Sequence, residues 1–441
     1  MSGELSIDFK WLSGGQNDRF DRAFAAEIGL ALDGEWMTEL LELESRTTMT
    51  HVRACAHTLG MWFAMNWWRL RWEPEPDREQ EDINWRIAHS VASAGSGFAW
   101  PNVVFASDGE FLTVASIPRL RPAAFEPLRY LNKVYGRISA AEFERKVDGF
   151  ISSVLSRGNA MGIENDSLSE LWLELQKERR TPEIAHWRKL EALCGYDPDE
   201  APAELIGFLI TDPAGLGKGA VEEVAAEGRG STAQVLEPII RLARSRSRTG
   251  GFHGHLDHCI RSQRNPGELP WQRGAKLAQA TRKKMGLGKG PMTDRCLADL
   301  MGVKASVFSD TEKKGRTRMP IALRREAEGS FDFYFNSARH TSRRFAASRL
   351  LGELLSGSGD DRLIPATQAK TARQQAQRAF AQELLCPFDA LLDRIQTNRP
   401  KEEAIEEAAN YFQVSPLTVR TTLVNKGELD RESLEMALWS R

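Results

Sequence analysis

The sequence predicts an α+β protein, and three observations carry that prediction. One clear β-hairpin signal stands in the first third, capped amphipathic helices fill the middle, and a glycine-rich stretch then leads into a helix-rich, basic C-terminal part. The hairpin is read from Val103–Ser107 and Glu110–Val114, two β-prone runs around Asp108-Gly109, which predicts a type I′ turn with positive φ at both central residues. Residues 1 to about 135 are therefore expected to form an N-terminal α+β domain. Before the hairpin, His51 to Trp72 reads as helical and carries Trp62, Trp67, Trp68 and Trp72, with Trp85 and Trp100 nearby. These rings suit a packed core better than a ligand cage, because large aromatics near a helix most often pack inward.

Residues 136–212 read as a helical region. Ser139-Ala140-Ala141-Glu142 is a capping box opening a helix with Phe143, Val147, Phe150, Ile151, Val154 and Leu155 on one face. Ser167-Leu168-Ser169-Glu170 opens a second helix, and Thr181-Pro182 supplies an N-cap followed by proline in the first turn. Residues 213–268 read as a connector with glycine clusters, a helix from Thr232 to Arg246 and a basic run of Arg241, Arg244, Arg246 and Arg248. That run is expected to be a solvated face, a phosphate or nucleic-acid contact being the alternative.

Composition narrows the function classes. The chain has 441 residues, 41% apolar and 27% charged, with net charge −2, so no bulk charge draws it to nucleic acid. Its five cysteines are scattered without CxxC spacing, which suits reduced thiols. The N-terminal residues read as no signal peptide and no apolar run reaches the ~18 residues of a membrane span. A cytoplasmic protein with no membrane partner is expected.

Two glycine loops invite a phosphate-binding reading. In Gly215-Leu216-Gly217-Lys218-Gly219, Asp212 stands where a P-loop needs its first glycine and Gly219 where it needs Ser or Thr, so a turn is expected. The second loop, Gly286 to Gly290, reads as the C-terminal cap of a helix. His253, His255, His258 and Cys259, with Asp257, are the densest group of potential metal ligands. A single short run is a weak zinc signal, because ligands usually converge from two separated pairs.

The C-terminal part carries a resemblance. Pro270-Trp271-Gln272-Arg273-Gly274, Leu297-Ala298-Asp299-Leu300-Met301-Gly302-Val303, Arg343-Arg344-Phe345-Ala346-Ala347, Ala379 to Pro387 and Ala408 to Ser415 follow one another in an order similar to the ImmA/IrrE family of bacterial metallopeptidases. The resemblance implies a zincin-like α+β domain over 269–441 with a helical, helix-turn-helix-like tail near 400–428. It also implies activity on repressor proteins in stress responses or mobile-element regulation.

Mapped by that resemblance, the first zinc histidine falls at Arg349, the general-base glutamate at Leu350, the second histidine at Glu353, and the third ligand near Arg373 to Gln375. An HExxH helix needs two imidazoles four residues apart and a carboxylate beside the first, and none of these is present. Arg349 and Glu353 are expected to pair across one helical turn instead.

The expected function is a non-catalytic, protein-binding sensor or regulator in bacterial stress response or phage defence, without a cofactor. One alternative is a nucleic-acid-binding regulator that uses a basic face of Arg316, Arg318, Arg324, Arg325, Arg339, His340, Arg343, Arg344 and Arg349, with Arg420 in the tail. The acidic Glu402, Glu403, Glu406 and Glu407 argue against the tail meeting phosphate. The other alternative is an active zinc metallopeptidase with a different ligand set.

Overall fold

Alternating apolar residues in the first strand and i, i+3, i+4 repeats further on fix the elements of two units in the computed structural model. It describes residues 3–13, 19–76, 83–118, 127–163, 166–212, 214–245, 251–255, 267–309, 317–326, 329–356, 361–395 and 400–430. The N-terminal unit spans Met1–Ile210 with Ala369–Thr371, and the C-terminal unit spans Thr211–Gln368 and Ala372–Arg441. The mixture is α+β with several small antiparallel sheets. No helix among the described residues is long and apolar enough to cross a membrane.

In the N-terminal unit the order is β1 (Leu5–Trp11), α1 (Arg19–Phe24), β2 (Ala25–Leu32), β3 (Glu35–Trp36), β4 (Leu40–Glu42), β5 (Thr47–Met49), β6 (Val52–Cys55), α2 (Ala56–Met65), α3 (Trp67–Trp72) and α4 (Ile83–His89). It continues with β7 (Val103–Ser107), β8 (Phe111–Ser116), β9 (Leu128–Tyr130), β10 (Val134–Ser139), α5 (Ala140–Ala160), α6 (Ser167–Arg180), α7 (Pro182–Leu193) and α8 (Ala203–Thr211). β2 lies between β1 and the pair β3 and β6, β8 lies between β10 and β7, and β4 lies between β5 and β9.

The helical middle does not form a separate region. Phe143, Val147, Phe150, Ile151 and Val154 of α5 join the core that holds β2, β7 and β8. Trp62, Trp67, Trp68, Trp85 and Trp100 are all buried, which matches the core reading; Trp72 is half-buried between Arg71 and Lys189, whose cations stand 3.8 and 4.1 Å from its ring.

Local details differ from the sequence reading where tertiary contacts choose. The segment from His51 begins as strand β6, because Ala25 to Ile28 of β2 pair with it, and the helix breaks at Asn66. The hairpin forms, but Asp108 closes it: Asp108 N donates to Phe111 O at 2.9 Å, so Gly109 and Glu110 are the central residues and only Gly109 has positive φ, +95°. That is the type II′ pattern. Asp108 Oδ1 accepts from Glu110 N and Phe111 N, which fixes the turn one residue later than expected. Ser139 caps α5 as expected by accepting from Glu142 N, whereas α6 is capped by Asp166 rather than Ser167.

The C-terminal unit contains α9 (Lys218–Gly228), α10 (Thr232–Arg244), β11 (Phe252–His255), α11 (Pro270–Lys284), α12 (Asp294–Met301), β12 (Ile321–Arg324), β13 (Ser330–Tyr334), α13 (His340–Ser356) and β14 (Leu363–Pro365). Four helices follow: α14 (Ala372–Leu385), α15 (Phe388–Ile395), α16 (Glu402–Phe412) and α17 (Pro416–Asn425). The described part of 213–268 is thus α9, α10 and β11, integral to this unit rather than a connector; Arg246 and Arg248 lie outside the described residues.

The sheet runs β11-β13-β12-β14, all antiparallel. α13 is buried along most of its length, and glycines let α14 come close: a Cβ on Gly352 would sit 2.5 Å from Phe380 Cδ1, and one on Gly274 of α11 would sit 2.1 Å from Ala376 O. Both glycine loops are turns, the first leading into α9 and the second following α11. Gly217 N and Leu216 N donate to the Asp212 carboxylate at 2.8 Å.

Candidate functional site

Helical spacing puts Arg349 and Glu353 of α13 on one face, and α14 presents Arg373, Gln374 and Gln377 toward it. Arg349 donates to Thr367 O and to Gln374 Oε1, each at 2.5 Å. Glu353 Oε1 stands 3.0 Å from Arg373 Nε, and Gln377 Nε2 donates to Glu353 Oε2 at 3.4 Å. Arg373 Nη1 also donates to Asp361 at 2.8 Å, and Gln374 and Gln377 both donate to Pro365 O of β14. The positions that the resemblance assigns to the metal helix and to the third ligand therefore meet at one buried place.

The expected Arg349–Glu353 pair does not form. Glu353 faces Arg373, and Arg349 Nε, though buried, has no acceptor among the described residues. Burial, then the charge of Arg378, pushes the Arg349 guanidinium down to about 9 against the opposing pull of Glu227 and Glu223. Arg373 goes the other way: burial acts to lower its pKa, but Glu353, Glu223 and Asp361 outweigh it and raise it. A guanidinium has no lone pair to offer a cation and keeps its charge near neutral pH. The side chains at this point do not fit a metal. Leu350 lies in the apolar core, fully buried, so a glutamate there would place a carboxylate among hydrocarbon.

Of the expected basic face, Arg343, Arg344 and Arg349 are buried. Arg343 donates to Ser337 O and Val307 O from a buried position, and Arg344, fully buried, reaches Met292 O and Gln413 O and pairs with Asp294. Burial lowers the Arg344 pKa despite Asp294. These arginines close loops onto α13. Arg325 pairs with Asp332 of β13, whereas Arg324 and Arg339 are exposed. Arg316 lies outside the described residues. In the tail, α15, α16 and α17 pack together, but Arg420 pairs with Glu402 while Glu403, Glu406 and Glu407 stay exposed.

In the histidine cluster, His253 lies between Asp332 Oδ1 at 3.2 Å and Ser330 Oγ at 3.1 Å, and His255 is exposed on the same strand; His258 and Cys259 lie outside the described residues. Among the described residues no group of three or more His, Cys, Asp or Glu side chains is placed to hold a metal ion.

A second buried ionic group went unread in the sequence. In the N-terminal unit, Glu73 Oε2 accepts from Arg69 Nε at 2.6 Å and lies 3.1 Å from His89 Nε2, while His89 Nδ1 lies 2.7 Å from Phe105 O. Each ring nitrogen faces an oxygen atom. Burial alone would raise the Glu73 pKa, but His89 and then Arg69 override it and hold the carboxyl at about 2. Glu73 and His89 are fully buried, so the group is sealed from any substrate. Only the i, i+4 spacing of Arg69 and Glu73 hinted at it.

No family model, no curated protein and no solved structure matches this chain.

Proposed function

We propose that the C-terminal unit is an ImmA/IrrE-like scaffold without peptidase chemistry, and that the protein acts as a protein-binding sensor or regulator in bacterial stress response or phage defence. One observation carries this reading: α13 and α14 bring together the positions where the resemblance calls for metal ligands, and they hold Arg349, Glu353, Arg373, Gln374 and Gln377 there. An active peptidase of this kind uses a metal to lower the pKa of bound water and a carboxylate to take the proton. Here guanidinium, carboxylate and carboxamide groups bond to one another and tie two helices and β14 together. Such a scaffold keeps a surface for partners and loses the cut.

The test begins with covalent cross-linking in the host, identification of the partner, and reconstitution with the two purified proteins. A saturable complex whose partner stays whole, with or without chelator, supports the reading. Chelator-sensitive cleavage, or no saturable complex, overturns it.

A further inference from the structure

β1 is the edge of its sheet. Asp33 N donates to Glu4 O and Leu12 N to Ala25 O, each at 2.9 Å, and alternate residues of an antiparallel strand turn their backbone groups the same way. Even-numbered residues from Glu4 to Leu12 therefore face β2, while Ile7, Phe9 and Trp11 turn their N–H and C=O groups to the other side. At the start of that side Gly3 N reaches Arg137 O at 2.6 Å; from Ile7 to Trp11 no backbone partner stands there among the described residues.

Next to this edge lies an open groove of about 440 Å3, lined by Phe9, Trp11, Ser152, Ser153, Ser156 and Arg157. The Phe9 ring is held edge-on by Trp11 and Phe150, at 5.3 and 5.5 Å. Ser153 and Ser156 donate back into α5, leaving their oxygens to accept. Arg157 Nε donates to Ala23 O at 3.1 Å and its guanidinium stands 5.4 Å from the Trp11 ring, with no partner for its Nη groups among the described residues.

We propose that β1 and this groove bind an extended peptide, which adds to β1 as a further strand, sets an apolar or aromatic side chain on Phe9 and Trp11, and brings an acidic side chain to Arg157. The two-residue period of open donors and acceptors matches a peptide backbone, and side-chain pockets beside an open edge give such binding its specificity. A second copy of β1 fits less well, because on this face it offers Ile7, Phe9 and Trp11 and no carboxylate for Arg157. The inference deepens the partner-binding reading and rests on it for its biological sense, whereas the site itself stands on the N-terminal unit.

The test uses phage-displayed random octapeptides selected on the full-length protein, then resynthesised with amidated ends for fluorescence anisotropy. Selected peptides are expected to alternate apolar and polar residues with at least one Asp or Glu. Arg157→Glu and the groove-filling Ser156→Trp should each weaken them about tenfold or more, with unchanged far-UV circular dichroism. Peptide binding should slow hydrogen exchange at the amides of Ile7, Phe9 and Trp11 and leave Ser6, Asp8 and Lys10 unchanged. The inference is overturned by no enrichment, by equal binding to both variants, by a peptide-free dimer that protects those amides, or by a single-stranded oligonucleotide that outcompetes every peptide. Loss of peptide binding with an intact, uncut partner complex sinks this inference alone; partner cleavage sinks the earlier reading alone.

Discussion

Glu73 in the N-terminal unit and Arg349 in the C-terminal unit are both sealed from water, yet burial acts on them with opposite results. Glu73 stands between Arg69 and His89 and its carboxyl is held at about 2, so its charge is more comfortable folded than unfolded. Arg349 meets a carbonyl and a carboxamide, with no carboxylate in hydrogen-bond contact, and burial pushes it down to about 9. Desolvation of an ion is repaid only by an opposite charge close by with good geometry. In the first group the fold favours the charged carboxylate over its protonated form, and in the second burial disfavours the charged guanidinium that links α13 to α14.

The sharpest way to break this contrast is Glu73→Gln, which leaves Arg69 and His89 without their carboxylate. A loss of ~3–5 kcal/mol is expected in urea unfolding followed by tryptophan fluorescence, since most tryptophans lie in that unit. Acid should expose the same group: a carboxyl depressed from 4.5 to about 2 contributes stability that is complete above ~4.5 and is lost as pH falls toward 2. That shift amounts to ~3 kcal/mol, absent from the Glu73→Gln variant's acid limb.

In the C-terminal unit Glu353→Gln should cost less, ~1–2 kcal/mol, because Arg373 retains Asp361. The smallest change is expected from Arg349→Met, neutral or stabilising by ~1 kcal/mol, because Gln374 Oε1 still accepts from Thr367 N at 2.9 Å. A loss of several kcal/mol there would show that Arg349 is paired more strongly than its neighbours indicate.

Some of this was legible in order along the chain. Ser139 and Glu142, Thr181-Pro182, and the alternation around Gly109 are local signals, and α5, α7 and the β7–β8 hairpin follow from them. Arg343, Arg344 and Arg349 turn inward to backbone carbonyls, and a run of arginines carries no mark of which ones will do so. His89 escaped notice because its partners, Glu73 and Phe105, lie 16 residues away on either side in sequence.

The sequence by itself determined the α+β class, the capped helices and the absence of an HExxH pattern at Arg349 to Glu353, because these depend on residue type and short-range spacing. Tertiary structure decided that β6 is a strand, that Asp108 closes its turn, and that residues 214–245 belong to the C-terminal unit. It also decided which charges are paired, because pairing depends on distances between segments that the chain brings together only when its apolar faces are buried.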